Sequence, residues 1–213
     1  MKLLSPTIPL ELEVVDDAPV LFAADDSISE VSLEYQTLTG YTSRSVSLKD
    51  SLVTKSDLSA MICERFDIFN CQFNAVNLAT TKLPNSSWHV VAVHGARCSG
   101  MQVSNSTLRN VVFKDSKLDM VNFRFSKLEN VRFEDCMMDD VDFYNAQLKN
   151  VEFVNCQINN ITFASARMKS VDLSRSHIEL IKGAGSLKGA TISYDQLMQL
   201  APYFAAEAGI KVA

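Results

Sequence analysis

Three histidines and five cysteines are the residues of this chain best suited to metal or nucleophilic chemistry. His89 and His94 lie five residues apart beside Trp88, and His177 stands alone. The cysteines Cys63, Cys71, Cys98, Cys136 and Cys156 are odd in number, and no two stand at CxxC spacing. The odd count and the missing CxxC spacing suit reduced thiols better than a disulfide framework or a zinc site. No Ser-His-Asp or Cys-His arrangement can be assembled, and no Gly-rich phosphate loop is present. Cys136 and Cys156 are the one pair that invites a redox reading, against the plainer reading of thiols used as small apolar fillers. No catalytic, cofactor-binding or metal-binding residue is assigned, and an enzyme is not expected. The remaining chemistry is that of charge: Asp115, Asp119, Glu134, Asp135, Asp139 and Asp140 crowd into 26 residues.

The elements that must position these groups follow from a period of five. From Phe113, steps of five reach Leu118, Phe123, Leu128, Phe133, Met138, Phe143, Leu148, Phe153, Ile158, Phe163, Met168, Leu173 and Ile178. Two residues before each stands another apolar or small residue, as in Val111, Ser116, Val121, Ser126, Val131 and Cys136. The register runs back to Ile28, about 31 units without an insertion. Neither the helical period of 3.6 nor the strand period of 2 survives such a run. One such unit cannot bury its two apolar residues alone, so the units must stack.

Ala75-Val76-Asn77-Leu78, Val121-Asn122-Phe123 and Val141-Asp142-Phe143 carry a motif that resembles the pentapeptide-repeat family, whose consensus is close to A(D/N)Lxx. The resemblance spans about residues 28–182. It implies an all-β solenoid: a right-handed quadrilateral β-helix with four units per coil and one coil per 20 residues. That makes about eight coils and, at the inter-strand spacing, a rod of about 37 Å. Residues 20 apart then form columns. Phe113, Phe133 and Phe153 predict one aromatic ladder, and Phe123, Phe143 and Phe163 a second opposite it. Asn110, Asn130 and Asn150 predict an outer amide ladder. His89 and His94 each follow an inward position, so both should point outward. The stretch Thr80–Gly100 holds the frame with a weaker pattern, as a bulged coil or a recognition patch would.

The chain divides into an acidic cap over 1–27, the repeat over 28–183 and a C-terminal cap over 184–213. In the first, Leu10-Glu11-Leu12-Glu13-Val14 alternates like a strand. In the last, the register slips at Gly183–Gly185 and resumes at Ala190. Ser193 and Gln196 have capping-box spacing ahead of a helix. Leu197, Leu200 and Phe204 share a helical face that either plugs the last coil or forms a homodimer contact. Pro202 should kink that helix or start a second one, and Gly209 should end it.

Composition bounds the partners. The net charge is −5 with pI near 5.2, the opposite of a general nucleic-acid binder, so direct nucleic-acid binding is not expected. No apolar run reaches membrane-spanning length, no secretory signal is evident, and the cysteine usage suits a reducing cytoplasm. The resemblance brings in proteins of the quinolone-resistance branch, which bind DNA gyrase by imitating B-DNA. For this chain it implies gyrase or another topoisomerase as one candidate partner and the C-terminal helix as a candidate dimer contact. The charge balance weighs against uniform imitation. Residues 1–27 carry net −5 and residues 28–183 net 0. DNA of the same length would carry about 20 charges. The charge is instead two-sided: the faces of Phe133 and Met138 have an acidic excess, and those of Phe143 and Leu148 a basic one. Two outward surfaces therefore stand as candidate protein contacts, the acidic edge named above and the aromatic pair Phe125 and Tyr144. The leading expectation is a non-enzymatic structural or protein-interaction module of unassigned partner. The alternative is a topoisomerase-binding DNA mimic.

Overall fold

Apolar side chains two residues apart, with a polar one between, give a short extended segment with one wet and one dry edge. In the computed structural model these segments wind into a parallel solenoid of about nine turns with one helix at the C-terminal end. The structure describes residues 3–24 and 26–211, so Lys2 and Asp25 of the acidic cap lie outside the described residues. Successive turns pair in parallel at a spacing of 20 residues, as in Leu108↔Leu128↔Leu148↔Met168 and Phe113↔Phe133↔Phe153. Their hydrogen bonds run both ways between turns: the Phe123 N–H donates to the Asp142 carbonyl at 2.8 Å, and the Asp142 N–H to the Val121 carbonyl at 3.0 Å.

The interior is the sum of the inward columns. Phe113, Phe133 and Phe153 stack at 5.4 and 5.0 Å, and Phe123, Phe143 and Phe163 at 4.9 and 5.4 Å. The two ladders meet edge to face at 6.0–6.5 Å. Small inward residues finish the packing and satisfy the backbone. The Ser86 N–H donates to Ser106 Oγ, and the Ser106 N–H to Ser126 Oγ, both at 3.0 Å. Trp88 is buried 6.1 Å from Phe113. Its strand, Ser87–His94, pairs with both neighbouring turns without a register shift. The weaker pattern around it is therefore no bulge: Trp88 fills an inward place that Ile68 and Leu108 fill on either side.

The ends explain why there are more turns than the about eight expected. The strand Glu13–Val14, shorter than the alternation suggested, stacks on Val31 and Ser32 at one end. At the other, Ala190–Thr191 stacks on Val171 and Asp172, one residue out of step. A helix, Ala18–Ala24, unforeseen from the periodicity, closes the first turn. Asp17 Oδ1 accepts the Val20 N–H at 3.1 Å as its cap, and Phe22 packs edge-on against Tyr41, whose hydroxyl donates to the Phe22 carbonyl at 2.7 Å. The C-terminal helix, Tyr194–Glu207, begins with the capping box of Ser193 and Gln196. Gln196 also donates to the carbonyls of Leu173 and Ser176 at 2.8 and 2.7 Å, tying the helix to the last full turn. Pro202 lies inside this one helix, and no second helix begins there. The carbonyl its missing N–H would have met belongs to Met198, which is exposed and can bond to water. Gly209, at φ +71°, follows the last turn.

The corners are the other half of the fold. Among the described residues, non-glycine residues at 24 positions have positive φ, all at multiples of five, from Glu30 to Ser170. Asn and Asp tolerate this left-handed conformation better than other residues, and they fill many of these positions. On the outer corner their amides bond in a column: Asn150 to Asn130 at 3.1 Å and Asn130 to Asn110 at 3.2 Å, with Asn70 to Asp50 at 2.5 Å two turns further on. Val90 interrupts that column. It holds φ +55°, where a β-branched residue is strained. Val90→Asn is expected to relieve the strain and join the two halves of the ladder, raising stability by about 1–2 kcal/mol in urea titration. An unchanged or lower midpoint would contradict the ladder's role.

Candidate interaction surface

The thiols are inside. All five cysteines are free and buried. Burial pushes the Cys71 and Cys98 thiols up to about 12, and Cys63 is raised for the same reason. Cys136 is raised by its hydrogen bond to Cys156 one turn away and by burial. Among the described residues no group of His, Cys, Asp and Glu is placed to hold a metal ion. His89 and His94 are half-buried on the outer wall, and His89 stacks on Phe69 at 5.3 Å.

The acidic edge is assembled by the 20-residue columns. Asp115 and Asp135 share one column, Asp119 and Asp139 another, with Glu134 and Asp140 beside them. The six are not equally free. Glu134 accepts from Lys114 Nζ at 2.6 Å and lies 3.8 Å from Arg132. The same hydrogen bond holds the Lys114 ammonium above its ordinary range. Asp119 pairs with Lys117 at 3.0 Å. Asp135 and Asp140 accept side-chain amides from Asn155 and Asn160. Among the described residues Asp115 and Asp139 form no ion pair.

A shallow groove of about 360 Å³ runs through this edge. Lys117, Met137, Gln157 and His177 form one wall, Asp119, Asp139, Asn159 and Glu179 the other, and Met138 and Ile158 the floor. Met137 is 56% exposed. Sequence reading missed Met137, His177 and Glu179 as part of this surface. Following the column 119, 139, 159, 179 would have found the last of them.

The aromatic pair is also brought together. Phe125, 46% exposed, meets Tyr144 edge-on at 5.6 Å. Arg124 lies 4.7 Å over the Tyr144 ring and 3.7 Å from Asp142, so the pair is engaged within its own face. On the C-terminal helix, Leu200 is buried and Phe204 half-buried against the last turn, while Leu197 sits at the margin, 44% exposed. Tyr194, Leu197 and Met198 make the helix's exposed apolar side.

Elsewhere the columns pair opposite charges between turns. Glu129 sits between Arg109 at 3.0 Å and Lys149 at 2.5 Å. Glu152 sits between Arg132 at 2.8 Å and Arg175 at 3.4 Å. Along these columns charge is neutralised from turn to turn, unlike the uniform charge of a DNA backbone.

Four-sided turns, left-handed corners every fifth residue and a phenylalanine interior define a pentapeptide-repeat β-helix. Residues 111–182, a third of the chain, match the family model of the pentapeptide repeat region. No curated protein matches the sequence. Among solved structures it is similar to a trypsin-treated form of QnrB1, a plasmid-mediated fluoroquinolone resistance protein. The identity is 14%, the match covers 96% of this chain and 100% of that one, and the TM-score is 0.54, a likeness of fold. HetL, a pentapeptide repeat protein involved in heterocyst differentiation regulation from the cyanobacterium Nostoc sp. strain PCC 7120, matches at 14% identity over 80% of this chain and 93% of its own, with a TM-score of 0.24.

The buried thiols give a direct test of the interior. Because their raised values keep Cys71 and Cys98 protonated, they should not react with Ellman's reagent at mildly alkaline pH, and all five cysteines should react once the chain is denatured. Rapid labelling of the native protein at either position would contradict this packing.

Proposed function

We propose that this protein is a non-enzymatic interaction module and that its partner is a protein docking on the acidic groove. The observation that carries the reading is the division of the molecule. Thiols are sealed inside, several outer charges are paired between turns, and the groove combines an exposed Met137 with the unpaired carboxylate of Asp139. An apolar floor with a carboxylate rim suits a basic, partly apolar protein surface. The contact proposed for the C-terminal helix is a second copy of the chain, meeting it through Tyr194, Leu197 and Met198 rather than the buried Leu200.

The narrower reading is a topoisomerase partner, DNA gyrase first. Its support is the family resemblance and the whole-length fold likeness to QnrB1, a fluoroquinolone resistance protein. The paired charges of the rod favour a local acidic contact over imitation of a whole DNA segment.

A gyrase supercoiling assay with and without a fluoroquinolone separates the two. Inhibition or drug protection at micromolar protein, lost in the Asp135→Asn, Asp139→Asn, Asp140→Asn variant, is the result expected of the narrower reading. No effect removes gyrase. Cross-linked capture from extract then tests the broader reading. Partners bound by the native protein and lost by the same variant are expected, and unchanged capture would remove the acidic edge.

A further inference from the structure

The face opposite the acidic edge has a different chemistry. Its two outward columns are read from the register. One runs Lys49, Phe69, His89, Arg109, Glu129, Lys149 and Lys169. The other includes Lys127, Gln147 and Arg167. Seven members of the first column span six steps of about 4.8 Å, or about 29 Å of continuous stripe.

Three observations set this stripe apart. Its one carboxylate in the long column, Glu129, is consumed by Arg109 and Lys149 on either side. Lys49, Lys127, Arg167 and Lys169 are exposed and form no ion pair among the described residues. Lys169 lies directly opposite Lys149 in the register, and Lys149 already spends its charge on Glu129, so Lys169 has a like-charged neighbour and no carboxylate of its own. Between the cations, Phe69 is 45% exposed and stacked on His89, with the ring planes 20° apart. An unpaired Lys49 beside an exposed aromatic stack, with the unpaired Lys127, Arg167 and Lys169 further along the same face, is a combination that holds a single-stranded nucleic acid without regard to sequence. The cations follow the phosphates and the ring offers a base a stacking surface.

We infer that the basic stripe from Lys49 to Lys169 is a binding surface for a single strand of nucleic acid. This goes beyond the protein-interaction reading and uses the opposite side of the rod. It also departs from the expectation set by net charge. That charge is gathered elsewhere: residues 1–35 hold eight acids and one lysine, at the N-terminal end. A whole-chain pI therefore hides a basic side. An acidic protein segment would satisfy the lysines but would leave the Phe69–His89 stack unused, which favours the strand.

The test is fluorescence anisotropy of the full chain with a labelled oligothymidylate of about twenty nucleotides, starting near 50 mM salt. Saturable binding is expected, with log affinity falling against log salt at a slope of about −3, as for about four phosphates neutralised. The Lys127→Glu, Arg167→Glu, Lys169→Glu variant should lose at least about tenfold in affinity. Phe69→Ala should lose about fivefold or more. Asp139→Asn, on the far side, should bind as the native chain does. Unchanged circular dichroism and melting of each variant keep a folding defect apart from lost binding. Absence of binding at low salt would overturn the inference. Displacement of the oligonucleotide by polyglutamate as readily as by unlabelled strand would overturn it too, as would binding indifferent to Phe69→Ala.

Discussion

The left-handed corner at every fifth residue is the constraint on which the rest of this molecule depends. Each such corner turns the chain by a quarter of a circuit, so a fixed residue spacing becomes a fixed spatial spacing. Residues 20 apart are placed one above another with the backbone hydrogen-bonded between them. The corner is unfavourable for most L-residues. It is held because two inward side chains per unit gain burial, and because Asn and Asp, common there, tolerate the conformation and bond along the stack. Ser45 and Arg65, inside the strands Thr42–Lys49 and Ile62–Asn74, are absent from the positive-φ set.

Function follows from the same spacing. A column repeats any outward charge every turn, so like charges would repel along the whole rod unless the sequence alternates them. It does so at Arg109, Glu129 and Lys149, and at Lys114 and Glu134. Where alternation lapses, a surface with an unmet demand remains. Asp119 and Asp139 mark one such lapse along the apolar groove, and Lys169, stacked on the already paired Lys149, marks another on the opposite side. The solenoid keeps these two surfaces apart and rigid, which is how one small rod can present two chemistries.

The interior was readable from the sequence because its rule is local: an apolar residue every five positions marks the inward column. The Ser193–Gln196 cap follows from spacing, while the phenylalanine ladders and the amide column needed the four-unit coil that the family resemblance implies. The ends were less legible because they abandon the period. The helix Ala18–Ala24 has its signal in Asp17, a capping residue, rather than in repetition. The Trp88 stretch looked disturbed because tryptophan breaks the pattern of residue types while keeping the pattern of burial. The candidate surface was half legible. Sequence order gathered the six acids, but only the columns show that Lys114 and Lys117 neutralise two of them and that Met137 and Glu179 join the groove.

Twenty residues, and no smaller multiple of five, is the unit that preserves every column. Deleting residues 121–140 removes one turn and leaves all later columns in register. Deleting residues 126–130 removes one side and moves every later residue onto the wrong face. Thermal unfolding of the two variants followed by circular dichroism is the most direct measurement. The account predicts a cooperative, native-like melt for the longer deletion and loss of the cooperative transition for the shorter one. Equal tolerance of both deletions, or collapse of the longer alone, would contradict it.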